Sequence, residues 1–349
     1  MRLATVSKFR NAAATVPGRE AWYTELPADP GSLPPAASGL AIDASALYLR
    51  AASGNALHAV GLSQAGLAGG APLSALAGRL VDWAAAPCAE DLVAAADDQG
   101  GVGVWRAREP LISFSAHAAA CASVRFHPTA SGALATSAGA GSGQVCLWDI
   151  SSGTAARFWS AAAEGGAGSI AFHGDGQLLA ASTHAGVCAV YDPRTAESPA
   201  SSTPAFYAPG RPSCVVWMGE RPFVLTTGTL KTRERAAALW DLRSLARPLA
   251  TRPVQPSPKP LLPLYDEDTQ LAYLVERGDS TIRWVDADPS SAAPLAEFGA
   301  VVLPGTISGC ALLPKPQLRV MSGEIARIHA VVASTGAGQG AAVVPIAHI

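Results

Sequence analysis

The residues that could do chemistry in this chain are thinly spread. Asp266, Glu267 and Asp268 stand in a row, and three carboxylates could attract a hard cation. A calcium loop also needs a spaced glycine and a downstream bidentate glutamate. Neither follows here, so the run reads as an exposed turn. The six cysteines, Cys88, Cys121, Cys146, Cys188, Cys214 and Cys310, lie far apart, with no C-x-x-C pair and no histidine at metal spacing. Several sit in apolar strand runs such as QVCLWD and GVCAVYD, as buried reduced thiols of a reducing compartment would. The glycine-rich stretch from Gly139 to Gln144 lacks a following G-K-[ST] and leads into a strand, so it is no phosphate loop. His127 and His173 occupy equivalent positions in a repeat, which favours structural roles over a ligand pair. Arg277-Gly278-Asp279-Ser280 spells an integrin-type tetrapeptide that a simple turn explains. There is no G-x-S-x-G elbow, H-E-x-x-H pair or convincing carboxylate pair. Neither an enzyme nor a bound cofactor or metal is expected. What remains is charge in loops. Lys231, Arg233 and Arg235, with Lys8 and Arg10 near the N-terminus, form a candidate partner-binding set, since cations on a rim can orient an acidic partner. The competing reading gives Arg10, Glu234 and Arg235 to salt bridges between repeat units.

These side chains need a scaffold, and composition narrows it. Of 349 residues, 49% are apolar and only 15% charged, with 34 glycines and 27 prolines. Such a chain has core material and turns for many short strands. A net charge of −2 without a basic block argues against nucleic-acid binding. No apolar run approaches the roughly 18 residues of a membrane helix. The N-terminus lacks an acidic residue before Glu20, which is compatible with a transit peptide, although Ser7-Lys8-Phe9-Arg10 has another account below. Alanine runs such as Ala84-Ala85-Ala86 and Ala161-Ala162-Ala163 read as loop drift.

A period organises the chain. Strand-ending aromatics fall at Trp105, Trp148, Tyr191, Trp240 and Trp284, in steps of roughly 43 to 49 residues. A second aromatic precedes each of the first four, at Trp83, Phe126, Phe172 and Trp217, and a strand of small residues follows it. Each copy is one four-stranded blade that buries its faces only by stacking radially on its neighbours. Five copies are clear, and Ser38 to Leu62 and Gly309 to Ile349 are weaker ones. The expectation is an all-β, seven-bladed WD40-type β-propeller whose N-terminal strand, near Lys8 and Arg10, completes the last blade and removes a sheet edge. The repeats are worn. Asp97 and Asp98 keep the turn acid in one copy, and His117 is the clear match to the loop histidine that pairs with it. An incomplete polar network is expected in most blades.

With the repeats placed, further motifs stand out. Ser7-Lys8-Phe9-Arg10, Phe126-His127-Pro128-Thr129-Ala130 and Asp192-Pro193-Arg194 are three. Thr226-Thr227-Gly228 with Lys231, Glu234, Arg235 and Leu239-Trp240-Asp241 is a fourth. Pro263 to Thr269, Gly278-Asp279-Ser280 with Ile282-Arg283, and Glu324-Ile325-Ala326-Arg327 complete the series. In this order they make the chain resemble the coronins, WD-repeat propellers associated with actin filaments. The departures are Asn11 for a histidine, Gly323 for a cysteine, and Pro27 where many coronins carry a basic residue implicated in filament contact. The opening and the ending resemble the first propeller of the long, two-propeller coronins.

The resemblance implies one propeller over residues 1–349, with 5–35 as closing segment, 36–304 as blades one to six and 305–349 as blade seven. No apolar heptads for a coiled coil are present, so either the sequence is truncated or a single propeller acts as a monomer. The implied function is binding of F-actin and regulation of actin organisation, in the cytoplasm at the cytoskeleton, with Lys8, Arg10, Lys231, Arg233 and Arg235 facing the filament. The alternative is a WD-repeat scaffold with trafficking partners at the periphery of Golgi or vesicle membranes.

Overall fold

The computed structural model describes residues 14–15, 38–42, 46–50, 54–63, 66–89, 91–139, 143–161, 165–194, 199–257, 259–333 and 341–348. The described strands form seven four-stranded antiparallel sheets. Sheet 1 runs through Ser38–Ile42, Ala46–Arg50, Leu57–Ser63 and Gly66–Pro72. Sheet 2 comprises Leu80–Ala85, Leu92–Asp97, Gly101–Arg106 and Glu109–Ser115; sheet 3 comprises Cys121–Phe126, Ala133–Ala138, Gln144–Asp149 and Thr154–Ser160. Sheet 4 follows with Ala167–Phe172, Leu179–Thr183, Cys188–Tyr191 and the short Ser201–Ser202. Sheet 5 holds Cys214–Trp217, Phe223–Thr229, Arg235–Asp241 and Ala250–Val254; sheet 6 holds Leu261–Asp266, Leu271–Glu276, Thr281–Asp286 and Glu297–Val302. Sheet 7 draws on the first and the last of the described strands. Thr306–Leu312, Ala326–Ala333 and Ala341–His348 are joined by Ala14–Thr15, with Ala14 opposite His348 and Thr15 opposite Ala347.

The four strands of each sheet are lettered a to d in order, and the a strands lie closest to one another. Consecutive sheets are glued face to face by apolar clusters. Tyr48 and Leu57 meet Trp83 and Trp105 between sheets 1 and 2. Leu92 and Val104 meet Phe126 and Trp148 between sheets 2 and 3. Trp159 meets Ile170 and Tyr191, Val190 meets Trp217, Leu239 meets Leu274, and Trp284 meets Ile328 and Ile346 at the next four contacts. The first strand of sheet 1 lies against Thr306–Leu312 and Ala326–Ala333 of sheet 7. The sheets therefore follow one another around an axis, the arrangement of a β-propeller.

Strands b and c are buried on both faces, and this explains the alanines. Leu92–Asp97, LVAAAD, is buried at every position, and Ala236, Ala237 and Ala238 are fully covered. Small side chains let neighbouring sheets approach near the axis. Ala84 and Ala85 belong to strand a of sheet 2, which corrects their reading as loop drift.

Among the described residues the worn polar network survives in two places. His117 Nε2 meets Thr136 Oγ1 at 2.8 Å, and Trp148 Nε1 donates to the same oxygen at 2.8 Å. Asp97 does not reach His117; it accepts backbone N–H bonds from Gly78, Gln99 and Gly101. In sheet 5, Tyr207 takes the histidine's part. Its hydroxyl lies 2.9 Å from Thr226 Oγ1, which accepts from Trp240 Nε1 at 2.8 Å. Both relays place the threonine 19 residues after the aromatic or histidine. Burial pushes the Tyr207 hydroxyl well above its ordinary pKa, so it stays a donor. Thr226→Val leaves two buried donors without an acceptor, and about 3 kcal/mol of stability is lost. Urea unfolding with an unchanged m-value reads this directly, and Thr226→Ser, which keeps the acceptor, retains most of the stability.

The cysteines are all free. Burial pushes the Cys121 and Cys310 thiols up to about 12 and those of Cys146 and Cys214 to about 11, which makes them unreactive. Cys88 differs in being exposed.

Candidate functional site

The motif-bearing turn between strands b and c of sheet 5 is a tight hairpin. Thr229 pairs with Arg235, Leu230 N donates to Glu234 O at 2.7 Å, and Arg233 N donates to Leu230 O at 2.9 Å. Arg233 adopts the left-handed region at φ 71, a cost the closed turn imposes. Lys231, Thr232, Arg233 and Glu234 are all exposed.

Arg235, one residue on, is not part of that surface. It is 2% exposed, donates from Nε to Gln255 O at 2.9 Å and pairs through Nη2 with Glu276 of sheet 6 at 2.5 Å. Its expected place among partner-facing cations is therefore corrected, because strand c carries it inward between two sheets. Glu276, itself buried, also accepts from Arg283 Nε at 3.0 Å; Arg283 reaches Glu297 at 3.1 Å, and Glu297 reaches Arg252 at 2.5 Å. Five charges alternate across the gap between sheets 5 and 6. Lys8, Arg10 and Pro27 lie outside the described residues.

Strand order places b–c turns and d–a connections on the same edge of every sheet. Near sheets 5 and 6 that edge also carries exposed Arg211 and Lys259. Lys259 Nζ lies 3.4 Å from Gly278 O. With Lys231 and Arg233 they make four exposed cations against two exposed acids, Glu234 and Asp279. Arg211 and Lys259 were missed in the sequence because whole strands separate them from the Lys231 motif. Arg277 donates from Nε to Ser308 O at 3.0 Å, so the R-G-D-S tetrapeptide is a turn tied to sheet 7.

On the opposite edge, the acidic turn 266–270 is a three-sheet joint. The Asp266 carboxylate is buried and held by Lys315 Nζ of sheet 7 at 2.6 Å and Thr269 Oγ1 at 2.8 Å. Gln270 accepts from Arg221 of sheet 5, at 2.5 Å from Nη2, once its amide is oriented by its neighbours. Glu267 lies over Gly219, where φ is +64 and a Cβ would collide with the carboxylate. Asp266 is thus no exposed turn residue. Among the described residues no group of three His, Cys, Asp or Glu is placed to hold a metal ion. His127 and His173 are structural. His127 packs 5.0 Å from the Phe172 ring and bonds Gly176 O, and His173 packs 4.8 Å from Trp217 and bonds Asp175.

No protein-family model matches the chain. Coronin-7 of Bos taurus is 28% identical over 343 residues, which cover 93% of this chain and 36% of that protein. Coronin-like protein crn1 of Schizosaccharomyces pombe is 28% identical over 261 residues, 71% of this chain and 42% of the relative. Human Coronin-2A is 32% identical over 166 residues, 47% of this chain and 30% of the relative. The chain thus spans well under half the length of these relatives. The crystal structure of the WD40 domain from Toxoplasma gondii coronin superposes with a TM-score of 0.82 at 22% identity, covering 97% of this chain and 87% of that one. The sequence matches, which reach 93% of this chain, and the shared architecture agree: the chain is similar to the coronins and folds as a WD-repeat β-propeller.

Proposed function

We propose that this propeller binds actin filaments directly through the b–c and d–a edge of sheets 5 and 6. The observation that carries the reading is the exposed Lys231–Arg233 turn beside Lys259 and Arg211. The cations sit on a rigid edge, where charge complementarity speeds and orients docking on an acidic surface. The unit that acts is a single seven-bladed ring over residues 1–349, closed by 5–35, with blades one to six in 36–304 and blade seven in 305–349. The pairing of Ala14–Thr15 with the last strand supports this closure. The proposed place of action is the cytoplasmic actin cytoskeleton, as a monomer without a catalytic role. Among the described residues no helix is long and apolar enough to cross a membrane.

Co-sedimentation with filamentous actin at low salt tests the reading. Lys231→Glu with Arg233→Glu weakens pelleting by about tenfold, and its circular dichroism matches the parent because both side chains are exposed. Absence of pelleting by the parent at micromolar actin rejects direct binding. A second reading, a WD-repeat scaffold in Golgi or endosomal trafficking, draws on the resemblance of the chain's opening and ending to the first propeller of the long, two-propeller coronins. Affinity capture that yields trafficking adaptors and no actin favours it.

A further inference from the structure

The Lys231–Glu234 turn holds a hydroxyl that actin binding does not need. Thr232 stands between Lys231 and Arg233, exposed like both of them. The turn cannot fold inward to hide a new charge. Its root is closed by the Leu230–Glu234 backbone bond at 2.7 Å and anchored by the buried Arg235–Glu276 pair at 2.5 Å. Arg235 is spent in that pair, so the local surface charge comes from Lys231, Arg233 and Glu234 and is positive by one.

We propose that Thr232 is a phosphoryl-acceptor site that switches this basic edge off. The reaction is ordinary phosphoryl transfer from ATP by a serine/threonine kinase that accepts basic residues on both sides of the hydroxyl. The Thr232 Oγ1–phosphorus bond forms as the bond to ADP breaks, and the hydroxyl proton passes to the kinase base. The product carries roughly −1.5 to −2 charge and three strong acceptor oxygens. Those oxygens lie within a residue of the Lys231 ammonium and the Arg233 guanidinium, which they engage as charge-assisted partners. Two of the four exposed cations of the edge are neutralised and the turn becomes net negative.

The proposal rests on the actin reading for its physiological outcome, but its chemistry has an independent readout. The parent chain and Thr232→Val are incubated with magnesium, ATP and a panel of basophilic kinases, and phosphopeptides are mapped by mass spectrometry. Near-stoichiometric label at Thr232, absent from the valine variant, is expected; less than about a tenth of a phosphate at Thr232 with every kinase overturns the proposal. The phosphorylated chain is then applied to immobilised polyglutamate and to filamentous actin. Elution from polyglutamate at clearly lower salt and about tenfold weaker pelleting are expected, while unphosphorylated Thr232→Val behaves as the parent does. Unchanged polyglutamate elution after phosphorylation overturns the switch whatever actin does. A polyglutamate response with no pelleting by the unmodified parent rejects the actin reading alone.

Discussion

Arg235→Ala lowers the unfolding free energy by about 3 kcal/mol, the low end of the cost of breaking a buried ion pair. The truncation removes one partner of Glu276, which is 1% exposed, and frees the Gln255 carbonyl. Arg283 remains on Glu276 at 3.0 Å, so the carboxylate is not wholly abandoned, and this holds the loss at the low end. Arg235→Lys keeps the charge but cannot span Gln255 O and Glu276 together; it loses about half as much. The pair is not an efficient source of stability, since Arg235 Nη1 is buried without a partner. Arg235→Met with Glu276→Leu therefore recovers most of the loss. Chemical denaturation of the three variants reads the series, and a double variant no better than Arg235→Ala contradicts it.

Acid destabilises this propeller through a buried imidazole. His329 in strand b of sheet 7 is 2% exposed, and burial, aided by Arg327, pulls its pKa from 6.5 to about 3. Between those values the unfolded chain binds a proton that the folded chain refuses. Stability contributed by the neutral ring is intact above pH 6.5 and falls as pH drops toward 3, by up to about 1.4 kcal/mol per unit. From pH 7 to pH 5 the expected loss is about 2 kcal/mol from this residue. Burial lowers the His117 pKa as well, so its contribution has the same sign. The His329 share is isolated by comparison with His329→Phe, whose stability falls correspondingly less over that interval in urea melts. Parallel pH profiles for parent and variant contradict the assignment.

How far the sequence could be read follows from the range of the interactions. The aromatic period exposed the propeller because each blade repeats the same burial problem locally: Trp148 and Trp240 occupy the same place in their sheets, each donating to a threonine one strand away. The Thr226 relay was hidden only because a tyrosine replaces the histidine, although the 19-residue spacing was there to be found. The charged turn was harder. Lys-Thr-Arg-Glu-Arg does not say where the turn ends and the strand begins, and that boundary decides that Arg233 meets solvent while Arg235 meets Glu276. Asp266 was misread for a different reason. Its partner Lys315 returns from the next sheet, 49 residues later, and no local pattern announces such a contact. The family motifs around Asp266 and Arg235 mark inter-sheet joints, whereas the cations left for a partner lie between or beside them.

The pairing of Ala14–Thr15 with Ala347–His348 also sets a schedule. Neighbouring sheets can form in order as the chain is made, each from contiguous residues. The last sheet needs the first described strand and the last one together, so it cannot be completed until residues 341–348 have been synthesised. Until Ala14–Thr15 pairs, it waits without a ladder, and strand Ala341–His348 has only Ala326–Ala333 beside it. Contacts this far apart in sequence carry a large loop-closure entropy and form late. Assembly of the described sheets is therefore expected to finish where Ala14–Thr15 meets Ala347–His348, and a sheet edge stays open until that pairing forms.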